Sequence, residues 1–116
     1  MTHHPGLKQL VGRDISSVEF VRGYIQLRFD GACLSTFTLP TVRLLSGTTL
    51  LASSTGYADA LVSLVGKAVE DAQQGEAGFH LLIAGGVVVS VSTSDADRRV
   101  AEAATLTTDG ATIWSW

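Results

Sequence analysis

Tyr24-Ile25-Gln26-Leu27-Arg28-Phe29-Asp30-Gly31 decides the fold. Ile25, Leu27 and Phe29 alternate with Gln26, Arg28 and Asp30. That period of two puts apolar side chains on one face of a strand and polar ones on the other. Asp30-Gly31 then reads as a hairpin turn, because both residues tolerate positive φ. Working outward, 32–39 reads as the next strand, with Cys33, Ser35, Phe37 and Leu39 on one apolar face. Residues 15–21 read as the strand before, turning at Arg22-Gly23. Further upstream, Leu7, Leu10 and Val11 stand at helical spacing, with Pro5 near the first position and Gly12 as terminator.

The same text recurs 54 residues later. Leu7, Leu10, Val11, Gly12, Leu27 and Gly31 return as Leu61, Leu64, Val65, Gly66, Leu81 and Gly85. Arg13/Lys67, Ile15/Val69, Ile25/Phe79, Phe29/Ile83, Leu34/Val88 and Phe37/Val91 are conservative matches in that register. The second helix, 57–65, places Tyr57, Leu61, Leu64 and Val65 on one face, with Gly56 as N-cap and Gly66 past its end. Strands follow at 67–73, 78–84 and 87–93, the last with Val87, Val89, Val91 and Thr93 on one face. The expectation is therefore an α+β domain spanning 1–116, mostly antiparallel β with two short helices, made of duplicated α-β-β-β units at 5–40 and 57–94. A hairpin at 41–53 turns at Ser46-Gly47 between the units, and one at 103–116 turns at Asp109-Gly110. Barrel and sandwich closures both satisfy this pattern.

Bulk properties narrow the function. The chain of 116 residues is 46% hydrophobic and only 16% charged, against about 25% in an ordinary domain. Residues 31–42, 44–58 and 77–94 carry no Asp, Glu, Lys or Arg at all. The last of these stretches contains His80 and Gly85-Gly86 and is Val-rich, so it reads as two buried strands rather than a membrane span. No basic region followed by an apolar stretch opens the chain, so no secretion signal is expected. Net charge is −3 and the basic residues form no footprint, which excludes nucleic acid as an expected partner. The charge is uneven. Residues 1–57 hold five basic and three acidic residues, net +2, while 58–116 hold three basic and eight acidic, net −5. Such asymmetry steers units, or copies of the chain, together.

Leu10-Val11-Gly12, 17–21, 24–31, the run from Gly56-Tyr57 to Leu64-Val65-Gly66, Glu102-Ala103-Ala104 and the Trp-containing end together resemble an uncharacterised family of small bacterial proteins. The resemblance implies a fold and a bacterial origin. It brings no functional residues, because its motifs are turns, caps and core strands.

Chemistry-bearing residues are few. A nucleophile needs a base and an orienting acid. His3 and His4 lie at the terminus, so His80 is the one credible base, with Arg28 or Asp30 as partners in a cleft between the units. Its bland reading is an outward strand position, since its repeat-mate is Gln26. Cys33 reads as a buried, inert thiol. The single cysteine excludes an internal disulfide and a multi-cysteine zinc site. Asp95-Ala96-Asp97 lacks the later ligands of a calcium loop, and Gly85-Gly86 lies in a hairpin rather than a phosphate cradle, so neither metal nor cofactor is expected. Trp114 and Trp116 share one strand face and are the candidate stacking platform for a ligand; their bland reading is packing of the last strand.

The leading expectation is a soluble, cytoplasmic, non-catalytic binding or interaction module, with a protein partner or a second copy of itself. The interface candidates are Leu44, Leu45, Leu50 and Leu51 of the inter-unit hairpin. The alternatives are an immunity-type protein that neutralises a toxin and a small enzyme using His80.

Overall fold

The computed structural model describes residues 5–97, 100, 102–108 and 112–116. Chain order is α1 (Pro5–Lys8), β1 (Ile15–Val21), β2 (Tyr24–Phe29), β3 (Ala32–Thr36), β4 (Thr41–Arg43), β5 (Thr49–Leu50) and α2 (Tyr57–Val62). Then come β6 (Val69–Gln74), β7 (Gly78–Ile83), β8 (Val87–Ser92), a single 3-10 turn (Asp95–Asp97), β9 (Ala104–Thr108) and β10 (Thr112–Ser115). The strands form two five-stranded sheets, β1-β2-β3-β9-β10 and β5-β4-β8-β7-β6. Every pairing is antiparallel. Mostly antiparallel β with two short helices is thus the observed class.

Alternation explains which face each strand buries. Ile25, Leu27 and Phe29 of β2 point inward, as do Phe79, Leu81 and Ile83 of β7. Leu7, Leu10, Leu61 and Leu64 from the two helical segments join the same cluster. Each such leucine, taken fully out of water, stabilises the fold by about 1.5–3 kcal/mol. One core therefore serves both sheets.

The 54-residue offset holds at the level of single hydrogen bonds. Gly12 N–H donates to Val69 O at 2.8 Å, and Gly66 N–H donates to Ile15 O at 2.7 Å. Ile15 N–H reaches Lys67 O and Val69 N–H reaches Arg13 O, both at 3.0 Å. An Asp14–Ala68 bridge lies between them, and these residues are themselves 54 apart. Both first strands carry a bulge at the same place, Ile15/Ser17 and Val69/Asp71. Gly12 and Gly66 adopt φ of +88°, the left-handed conformation that ends each helical segment.

The units are interleaved. After β3 the chain crosses to the other sheet, where β4 pairs with β8. After β8 it crosses back, and β9 pairs with β3. The hairpin that follows each unit thus supplies two outer strands to the sheet of the other. Separating them would break hydrogen-bond ladders in both sheets.

Three expectations need correction. The third strands do not match at an offset of 54. Asp30-Gly31 is a two-residue turn, whereas Ala84, Gly85 and Gly86 separate the paired Ile83 and Val87. The extra residue moves the offset to 55, so Leu34 matches Val89 and Thr36 matches Val91. A one-residue slip exchanges the two faces of a strand. Ala32, Leu34 and Thr36 therefore face the core, and Cys33 is half-buried on the outer face rather than sealed inside. Val65 is 44% exposed: the helix ends at Val62, and its final turn tightens with Leu64 and Val65 donating three residues back. The inter-unit hairpin is shorter than expected, pairing only Val42 with Leu50 and Arg43 with Thr49.

Candidate functional site

The outer face of the second sheet carries a polar row. Gln73, His80, Ser90 and Thr41 are register partners on four neighbouring strands, so they share one face. Directly opposite residues in such a ladder have Cβ atoms about 4.5–5.5 Å apart. The inward-facing row beside them is Ala72, Leu81, Val89 and Val42, all buried. Alternation alone thus pushes His80 outward, next to Ser90.

His80 and Ser90 border a groove of about 700 Å³. Thr38, Leu39 and Thr41 from the first crossover, Ala77 and Gly78 at the start of β7, and Ser92 with Asp97 complete its sides. A smaller depression of about 310 Å³ lies on the other side of the same row and adds Arg43 and Thr49. Two features shape the main groove. Gly78 has no side chain and can have none without backbone movement, since a Cβ there would meet Val91 O at 2.2 Å. The 3-10 turn brings in Asp97, whose Oδ2 accepts from Ser92 Oγ at 2.6 Å. Ser94 Oγ accepts from Ala96 N–H at 3.3 Å and steadies the turn. Thr38, only 7% exposed, also lines the groove, and its buried Oγ1 has no hydrogen-bond partner among the described residues.

Serine, histidine and aspartate thus meet in one groove, but Asp97 bonds Ser92 rather than His80. The order that activates a nucleophile, acid to His to Ser, is not the order seen here. No group of three or more His, Cys, Asp or Glu able to hold a metal occurs among the described residues.

The proposed partners of His80 are elsewhere. Arg28 lies on the outer face of the first sheet, paired with Glu19 and within 3.3 Å of Gln26 Oε1. The Glu19 carboxylate holds the Arg28 guanidinium above its ordinary pKa. Asp30 sits in the β2–β3 turn and offers its carbonyl to Arg13. Neither residue lines the groove. Trp116 packs on Phe79, with ring centroids 4.9 Å apart. Trp114 lies over Gly6 so closely that a Cβ there would come within 2.3 Å of the indole. The two rings tie the last strand to β7 and to α1. His3 and His4 lie outside the described residues.

In the inter-unit hairpin Leu44 and Leu50 pack against the core, while Leu45 is 78% and Leu51 is 52% exposed. A second groove of about 450 Å³ runs between the β1–β2 turn and the segment before α2, lined by Phe20, Val21, Tyr24, Ile25, Leu39 and Tyr57. Tyr57 donates its hydroxyl to Pro40 O at 2.5 Å, and burial pushes its pKa up to about 12.

Sequence reasoning found His80 but missed Gly78, Ser90, Ser92 and Asp97. A signal was present. Shifting the offset to 55 after the turn yields the identities Ser35/Ser90 and Thr38/Thr93. No helix among the described residues is long and apolar enough to cross a membrane. Comparison with models of protein families, with curated proteins and with solved structures returns no match. The resemblance to a bacterial family accordingly carries no argument beyond the sequence.

Proposed function

We propose that this chain is a non-catalytic binding module that seats a small ligand in the groove beside His80. One observation carries the reading: on the outer face of the second sheet His80, Ser90, Ser92 and Asp97 line one groove of about 700 Å³ that has Leu39 on its side. A cavity of this size, with several polar groups converging on a partly apolar wall, matches the usual dimensions of a small-molecule site. Crystals soaked with a chemically diverse fragment set test it. Fragments clustering between His80, Ser92 and Asp97 support the reading, and a groove that takes none of them overturns it.

A second reading, self-association through the inter-unit hairpin, is supported by the exposure of Leu45 and Leu51. Sedimentation equilibrium should then show dimers that Leu45→Glu dissolves. A monomer across the concentration range would end that reading.

A further inference from the structure

We propose that this face takes a short peptide with both termini free, lying along β8 with its ammonium at Asp97 and its carboxylate at Arg43. The proposal rests on the binding-module reading above and is carried by the way the two depressions on this face join. The groove of about 700 Å³ and the depression of about 310 Å³ share Thr41, His80 and Ser90. They form one trough across the polar row, and its two ends differ in charge. Histidine aside, Asp97 is the one charged residue lining the larger part, and Arg43 the one lining the smaller. Neither side chain belongs to an ion pair among the described residues.

Alternation along β8 sets the distance between those ends. Val87, Val89 and Val91 are buried, so Val88, Ser90 and Ser92 turn outward. Arg43 stands opposite Val88 across the β4–β8 ladder, and Asp97 accepts from Ser92 Oγ. Val88 and Ser92 are four residues of strand apart, a run of about 13 Å. An extended tripeptide spans about 10 Å between its termini, and the long Arg43 side chain can cover the remainder. A ligand with two anionic ends would be repelled at Asp97, and one with two cationic ends at Arg43. A zwitterion suits both. The guanidinium fork matches a carboxylate. The Asp97 carboxylate has acceptor capacity beyond the one bond from Ser92. Between the ends, Thr41, His80 and Ser90 present hydroxyl and imidazole groups to the peptide units. Two opposite termini within one trough of small-molecule dimensions favour a free peptide over a segment of a folded partner.

The test titrates trialanine into the intact chain at low ionic strength, with amide shifts followed by two-dimensional NMR. The expected result is saturable movement of the His80, Ser90 and Ser92 amides, with a Kd of about 1 mM for so small a ligand. N-acetyl-trialanine and trialanine amide each lack one terminal charge and should bind about threefold more weakly. Those differences should shrink in about 0.5 M salt. Asp97→Asn should weaken trialanine as much as acetylation does and leave the acetylated peptide unaffected. Arg43→Gln should do the same for the amide form. Both positions are exposed, so neither substitution disturbs the core. 8-Aminooctanoate carries the same two charges at a similar span without peptide units, and should bind about threefold more weakly than trialanine. Equal binding of 8-aminooctanoate overturns the peptide assignment. Equal binding of trialanine and both capped forms, or capping losses that persist in the two variants, overturns the charge assignment. Movement confined to other surfaces, or none with any of these compounds, overturns the inference as a whole. In each case fragments found in the groove of soaked crystals leave the binding-module reading intact, whereas a groove that takes no fragment removes that reading itself.

Discussion

On the outer face of the first sheet Tyr24 lies against Phe37 and Gln26 Nε2 holds Ser35 Oγ at 3.1 Å. At the matching places of the second sheet stand Gly78, Ser92, His80 and Ser90. The inner faces tell the opposite story: Ile25, Leu27 and Phe29 correspond to Phe79, Leu81 and Ile83, and all six are buried. Packing dictates an inward position, since close-packed interiors register a change of even one methylene. An outward position is free of that demand. The two sheets share one inner design and differ in outer chemistry, and the difference gathers at one corner.

The strongest way to break this comparison is through the helical segments. Leu10 and Leu64 are 54 residues apart and both fully buried. Leu10→Ala and Leu64→Ala should each cost about 2–5 kcal/mol in chemical denaturation. Agreement within about 1 kcal/mol would sharpen the equivalence of the two units. A large disparity would show that one unit carries the core alone.

A smaller effect separates the corners. Gly78→Ala forces a Cβ against the Val91 carbonyl and should cost about 1–3 kcal/mol. Tyr24→Ala, at the matching position, removes a ring contact and should cost about 1 kcal/mol. If Gly78→Ala proved neutral, the absent side chain would have no backbone cause, and the open groove would need another explanation.

These contrasts also show what was legible in the residues. Through β2 and β7 alternation and offset agree, because strand period and hairpin turns are local properties. The match fails at β3 because one extra residue in the Ala84-Gly85-Gly86 turn exchanges the faces, which sent Cys33 inward on paper and outward in the fold. The exchange of β4 and β9 between sheets is not written locally at all. It depends on which distant edges, β8 and β3, the chain meets after each crossover. The groove was hidden for a related reason. It is built from what Gly78 lacks, and from Leu39 and Asp97, which reach it from segments outside the row.

The helices differ in how they are anchored, and pH reads that difference. α1 is covered by Trp114 at Gly6, whereas α2 is fastened by Tyr57 through Pro40. Tyr57→Phe should cost about 1 kcal/mol at neutral pH by removing that hydrogen bond. Its pKa is raised in the folded chain to about 12 from an ordinary 10.0. The folded state therefore holds its proton where the unfolded state has lost it. The contribution is fully present below pH 10 and is lost as pH climbs towards 12. Thermal melts of the parent and of Tyr57→Phe, run from pH 9 to 12, should converge as pH rises. Parallel curves would place the proton elsewhere.

The smallest expected effect concerns charge on the two outer faces. Glu19 and Arg28 pair across β1 and β2, where the second sheet has Gln73 and Leu82. Both charged side chains are nearly half exposed, so water and salt screen the attraction. Exposed pairs of this kind add little to stability. Arg28→Leu, which writes the second sheet's residue into the first, should therefore barely move the denaturation midpoint, and less still in 1 M salt. It should also leave ligand binding untouched, because Arg28 does not line the groove. A loss well beyond that, persisting at high salt, would mean that Arg28 stabilises the first sheet by packing its stem over Gln26 and Cys33. The outer face of the first sheet would then be a packed surface in its own right, and the contrast with the open face of the second would be greater than the ring pair alone implies.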